Sequence, residues 1–205
     1  MKKKIIIDIL LFIFLILEFS RNYLEPVYHE IFGIILIILV IIHLLLNKNY
    51  LKNIPKGRYN LSRTIMLIIN SVFFITFILS LIFGILSSQY LLTFLNQNSF
   101  IIIKLHKTCS YLSLIFMSLH LGLNFNLIFN KIKNNKFIYI IEIIIIIYGI
   151  YSFIKLDIIK HIIGTYGFGY FEGNILINLL NYLSIILMLS LITNKIYTKI
   201  KKEGK

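Results

Sequence analysis

Four histidines carry the chemistry this sequence can offer. They form two pairs, His29 with His43 and His106 with His120, and each pair is fourteen residues apart inside an apolar segment. An α-helix turns about 100° and rises about 1.5 Å per residue, so this spacing returns to nearly the same face about 21 Å further along. That is most of the roughly 30 Å hydrocarbon thickness of a bilayer. Each helix would present one imidazole near each membrane face, on a common stripe. Two such helices side by side could grip two haems, one above the other. An iron held by two imidazoles has no open position for substrate and passes single electrons, at a potential tuned by hydrogen bonding and burial.

Other histidine chemistry competes with this reading. A lone histidine in an apolar helix is often a hydrogen-bonded structural residue, but intramembrane ionisable residues are rare and functional as a rule. Four in two matched pairs argue for a shared task. Histidine also binds zinc and copper, but transport sites add carboxylates or cysteines near the midplane, and the midplane between these two levels carries no acid. Glu30 follows His29, yet adjacent helical residues point about 100° apart. Cys109 is the only cysteine, which excludes an internal disulfide, covalent haem attachment through C-x-x-C-H and an iron–sulfur cluster; it reads as a small packing residue.

The elements that must position these imidazoles are written in the composition. Of 205 residues, 59% are hydrophobic and only 14% charged, against roughly 25% charged in an average soluble domain. Six apolar stretches stand out: Ile5–Ser20, Val27–Leu46, Ile65–Leu86, Ile101–Ile128, Phe137–Phe153 and Ile175–Ile192. Most approach the roughly 20 residues of a spanning helix. The first follows Lys2, Lys3 and Lys4 but leads into Glu18, Arg21 and Glu25 rather than a small-residue cleavage site, so a retained helix is expected.

The net charge of +13 reflects topology rather than nucleic-acid binding. With the N-terminus in the cytoplasm, sixteen of the 21 lysines and arginines fall inside, and only Arg21, Lys104, Lys107, Lys155 and Lys160 fall outside. This is the positive-inside bias of a six-span protein with both ends cytoplasmic. The second and fourth helices then run parallel, with His29 and His106 at the outer level and His43 and His120 at the inner one.

An internal repeat reinforces the pairing. The second segment ends in HLLLN, His43 to Asn47, and the fourth in HLGLN, His120 to Asn124; His29 and His106 occupy equivalent places upstream. The expected architecture is an all-α membrane protein of six transmembrane helices. Residues 1–130 form a haem-binding four-helix bundle from two tandem helix pairs. Residues 131–205 add a further pair, an outer loop and a basic cytoplasmic tail.

Several residues have ordinary readings beside functional ones. Gly33, Gly84, Gly122 and Gly149 could admit a macrocycle or simply a neighbouring helix. Lys104, Lys107 and Arg21 outside, and Lys48, Arg58 and Arg63 inside, could meet propionates or snorkel at helix ends. His161 belongs to no pair and is expected in an interfacial loop, HIIGTYGFGYFEGN, rather than as a fifth ligand. The Gly-x-Gly at Gly167–Gly169 is too short for nucleotide binding. Asp8 and Glu142 are acids within the spans, expected to reach the interface or pair with lysine.

HEIFGIILIILVIIHLLLN and LHKTCSYLSLIFMSLHLGLN, with the intervening KGRY and the arginine after it, resemble the flavinylation-associated cytochromes, a bacterial membrane family loosely related to ferric-reductase-like and cytochrome b proteins. The resemblance covers roughly residues 1–130. It implies two non-covalent b-type haems, one on His29 with His106 and one on His43 with His120. It also implies electron transfer across the bacterial cytoplasmic membrane to an extracytoplasmic flavoprotein with covalently bound FMN, fed by a quinol or a cytoplasmic reductase. The chain itself carries no flavin-attachment or nicotinamide-binding domain, so an electron-transfer subunit is expected rather than a stand-alone enzyme. A ferric-reductase-like or quinol-oxidising cytochrome b subunit, and a non-haem membrane scaffold for a redox complex, are the competing readings.

Overall fold

The computed structural model describes residues 2–124, 136–165 and 173–203. The Gly167–Gly169 stretch, and with it half of the expected outer loop HIIGTYGFGYFEGN, lies outside these. Every regular element within them is a helix: α1 (Lys2–Glu18), α2 (Pro26–Leu46), the short α3 (Lys48–Asn53), α4 (Leu61–Leu86), α5 (Phe100–Asn124), α6 (Lys136–Lys155), the short α7 (Ile158–Ile163) and α8 (Ile175–Glu203). Single turns of 3-10 helix at Arg21–Tyr23 and Thr93–Leu95 complete the set.

Among the described residues, α2, α4, α5, α6 and α8 are long and apolar enough to cross a membrane, consistent with a multi-spanning membrane protein. The sequence has six apolar stretches, one more than this. At 17 residues α1 falls short of the other five; its rise is about 26 Å. Exposed isoleucines recur at helical spacing along α1 (Ile5, Ile9, Ile13) and α6 (Ile140, Ile144, Ile147), the pattern of a face turned to lipid rather than to a protein core.

Local signals set the helix ends. Pro26 occupies the first turn of α2, where its missing N–H costs nothing. Asn60 caps α4, its side chain accepting the Arg63 N–H at 3.0 Å, which satisfies one orphan donor of the first turn. Gly164 closes α7 with φ +70°, the left-handed conformation that glycine adopts without steric cost. α8 continues eleven residues past the expected Ile192, to Glu203, and ends in Lys201 and Lys202, cations that suit a helix C-terminus.

Side-chain contacts fix the directions of the helices. Asp8 meets His43 and Glu18 meets His29, so α1 and α2 are antiparallel along their shared length. Asn70 meets His120, and the Ser80 carbonyl meets His106, so α4 and α5 are antiparallel too. α5 and α8 run parallel, tied by Tyr111 to Tyr182 at 2.8 Å, Ser190 Oγ donating to the Ser118 carbonyl at 2.8 Å, and Asn194 Nδ2 donating to the Gly122 carbonyl at 2.9 Å. α6 runs against α8, with Tyr148 donating to Asn181 and Lys195 to Glu142.

The protein core lies between α5 and α8. Leu114, Met117, Ile158, Tyr182, Ile185 and Ile186 form it, with Phe12, Leu15, Ile16 and Phe19 of α1 packed on its edge. Two glycines permit the close approach. A Cβ at Gly122 would sit 2.5 Å from the Ser190 carbonyl oxygen, and one at Gly149 would sit 2.6 Å from Met188 Cβ. Both are helix-packing residues. The histidine-bearing helices α2 and α5, by contrast, have almost no close backbone approach to each other. Two hairpins, α1–α2 and α4–α5, thus face one another across a space.

Candidate functional site

That space is a cavity of about 240 Å³ at the outer-level end, lined among others by His29, His106, Gly33, Gly84, Arg21 and Lys107. The His29 and His106 rings meet across it with centroids 5.9 Å apart and planes at 81°. Two imidazoles on one metal, at bonds of about 2 Å each, place their ring centres on the order of 6 Å apart. The separation therefore suits a shared metal centre.

The inner pair is less closely joined. His43 and His120 lie near enough to feel one another's charge, but no ring contact joins them among the described residues. The His120 ring packs against Phe73 with centroids 5.6 Å apart.

Each of the four imidazoles is anchored by its Nδ1, always from the helix that precedes it in the chain. His29 Nδ1 contacts the Glu18 carboxylate and His43 Nδ1 lies 2.8 Å from Asp8 Oδ1, both from α1. His106 Nδ1 lies 2.8 Å from the Ser80 carbonyl oxygen, and His120 Nδ1 lies 2.8 Å from Asn70 Oδ1, both from α4. A carbonyl or a carboxylate accepts hydrogen bonds, so Nδ1 is the donor at His43, His106 and His120 and faces a carboxylate at His29, and a neutral ring held this way has its lone pair on Nε2. Among the described residues no hydrogen bond reaches Nε2 of His29, His106 or His120; that of His43 has the Asn47 amide at 3.4 Å. Metal-ligating histidines characteristically donate their second N–H to a carboxylate or backbone carbonyl, which fixes tautomer and ring direction.

The repeat extends into these partners. Asp8 and Glu18 are ten residues apart, as are Asn70 and Ser80. The shared HLxLN ending also has a physical basis. Asn47 Nδ2 donates to the His43 carbonyl at 3.0 Å, and Asn124 Nδ2 to the His120 carbonyl at 2.9 Å. Each asparagine thereby adds a side-chain donor to a carbonyl in the last turn of its helix; at His43 the Asn47 backbone N–H donates to the same oxygen, also at 3.0 Å.

The other expected residues sort by their surroundings. A Cβ on Gly84 would meet His106 Cε1 at 3.1 Å, whereas one on Gly33 would meet only Glu18 Oε1, at 3.7 Å. Gly84 thus seats an imidazole and Gly33 thins the cavity wall. Glu18 Oε1 and Ser113 Oγ, both from lining residues, are buried without a hydrogen-bond partner among the described residues, so the wall holds polar atoms suited to a bound group. Arg63 is committed elsewhere, donating to the carbonyls of Asn53, Ile54, Lys56 and Arg58. Glu142 pairs with Lys195 as expected. Asp8 does not reach for a lysine but for His43.

Glu30 turns away from the imidazoles. Its carboxylate accepts from Ser88 Oγ at 2.7 Å and from the N–H groups of Gln89 at 2.6 Å and Leu91 at 2.8 Å, tying the α4–α5 connection over the cavity mouth. His161 departs from the interfacial expectation. It sits in α7, 7% exposed, with its ring stacked on Tyr111 at 4.1 Å and 2°, and it lines the same cavity. Cys109 is buried, as expected.

Among the described residues no group of three or more His, Cys, Asp and Glu side chains could hold a metal ion. A site of three or more protein ligands, the usual set for zinc, is therefore not assembled among these residues. A centre needing only two protein nitrogens makes no such demand. The chain matches no protein-family model, no curated protein and no solved structure.

Proposed function

We propose that this protein is an integral membrane dihaem cytochrome that moves electrons across the bacterial cytoplasmic membrane, with both chain ends on the cytoplasmic side. His29 and His106 would hold the outer b-type haem, and His43 and His120 the inner one. α1 serves as the sixth span. Its contacts with His29 and His43 keep it beside α2 over the full distance between the two levels.

One observation carries this reading: four intramembrane imidazoles, in two levels, each with Nδ1 committed to an acceptor from the preceding helix. That arrangement leaves Nε2 as the coordinating atom. The haem supplies one-electron exchange when bound. The chain holds the imidazoles in one tautomer, keeps the two hairpins apart, and places Arg21 and Lys107 at the outer mouth, where anionic propionates would meet them. The resemblance of residues 1–130 to flavinylation-associated cytochromes supports an extracytoplasmic flavoprotein as acceptor and a quinol or cytoplasmic reductase as donor. The protein would then be one subunit of an oxidoreductase system.

The decisive measurement is a pyridine haemochrome assay on the purified chain from haem-replete cells. Two b-type haems per chain are expected, with reduced-minus-oxidised bands of a six-coordinate cytochrome. A folded, colourless protein would overturn the reading.

A further inference from the structure

The four anchoring groups differ in charge, and the difference follows the hairpins. Both partners on α1 are carboxylates, Glu18 and Asp8, and both serve histidines of α2. Both partners on α4 are neutral, the Ser80 carbonyl and the Asn70 amide, and both serve histidines of α5. Glu18 is the more enclosed of the two acids, its side chain 14% exposed against 52% for Asp8. Resting on the haem reading above, each iron would sit between one carboxylate-backed and one neutrally backed imidazole.

We infer that Glu18 and Asp8 are positioning residues that set the reduction potentials of the two centres, Glu18 for the outer and Asp8 for the inner. A carboxylate accepting the Nδ1 proton makes the ring a stronger donor and adds negative charge within a few ångströms of the metal. Both effects favour the ferric over the ferrous state, by one positive charge, and so lower the potential. The effect is larger where the acid is better shielded from water, because screening there is weaker. The α1 acids thus hold both potentials down, and Glu18 holds the outer one down further than Asp8 holds the inner. The α4 partners are neutral carbonyl oxygens, which strengthen the second imidazole of each centre less and add no charge.

The test is a redox titration of the purified, haem-loaded protein and its variants, followed by visible and EPR spectra, with haem content measured on each sample. Glu18→Gln keeps an acceptor for Nδ1 and removes the charge; it should raise the midpoint potential of one haem and leave the other in place. Asp8→Asn should raise the potential of the other haem, by a smaller amount. Asn70→Asp, which adds a carboxylate behind His120, should shift the inner haem the opposite way, downward. Should Glu18→Gln lose the outer haem, the two inner-level variants decide alone. Unchanged potentials in variants that retain two haems would overturn the inference while leaving the dihaem reading standing. A wild-type chain without haem would instead remove the reading on which it rests.

Discussion

His106 is seated by the backbone of α4, its Nδ1 donating to the carbonyl of Ser80 at 2.8 Å. That carbonyl also faces the N–H of Gly84, four residues on, within the helix. Because Gly84 has no side chain, the imidazole edge can come up beside it and share the oxygen. A Cβ there would lie 3.1 Å from His106 Cε1 and 3.2 Å from Nδ1. Gly84→Val should therefore push the ring out of register, reducing haem content from about two to about one per chain while the inner-level spectrum survives. Circular dichroism should show unchanged helix content.

The histidines should behave as pairs. His29→Ala and His106→Ala should each abolish the same outer centre, and His43→Ala and His120→Ala the inner one. Difference spectra of the four single variants would fall into two matching sets. If loss of His29 gave the spectrum produced by loss of His43, the assignment of levels would be wrong.

Glu30 clamps the α4–α5 connection by accepting from Ser88, Gln89, Tyr90 and Leu91. Glu30→Ala removes charge-assisted bonds at a partly solvated site, worth on the order of 1 kcal/mol in local stability after screening. Hydrogen exchange at Gln89 to Leu91 should then quicken about fivefold. Exchange within α8 should not change.

Gly122 lets α5 and α8 touch. Gly122→Val would force its Cβ into the Ser190 carbonyl, at 2.5 Å before any adjustment, an overpacking cost of roughly 1–3 kcal/mol. Thermal unfolding in detergent should shift to lower temperature, and the haem spectra of the still-folded fraction should match the parent.

His161 gives α7 a pH dependence. Burial, then the Lys107 charge, hold its imidazole below the ordinary value, near 6.5 for a free histidine. The unfolded segment gains this proton as pH falls through about 6.5, while the folded one resists it. α7 should be fully stable above that pH and loosen progressively below it. Exchange protection at Ile158–Ile163, corrected for intrinsic rates, should fall between about pH 7 and about pH 5 in the parent and stay flat in His161→Phe.

The long helices and the four imidazoles were legible in the sequence because both depend on periodicity along a single element. The parallel course of α2 and α5 followed from charge placement, and the HLxLN repeat marked equivalent positions. What anchors the imidazoles was not legible. Asp8 and Glu18 stand out as acids in or beside an apolar run, but which neighbour they meet is set by how α1 lies on α2. Ser80 acts through its carbonyl, a group every residue has, so its identity carried no signal at all. His161 looked like a loop residue because its burial depends on Tyr111, fifty residues away in the chain. α1 is shorter than the other long helices, and its 17 residues begin with Lys2, Lys3 and Lys4, so the apolar part is shorter still.

The two hairpins face each other across a cavity rather than touching through α2 and α5, and this has a consequence for biosynthesis. The α1–α2 hairpin precedes α8 in the chain, yet part of its seat is there: Phe19 packs on Tyr182 with ring centroids 4.8 Å apart as well as on Tyr111 of α5 at 5.5 Å, and the Phe19 carbonyl accepts from Asn178 at 3.1 Å. The first hairpin can therefore complete its docking only after α8 has been made, with Glu30 and Phe19 as its earlier footholds on the α4–α5 hairpin.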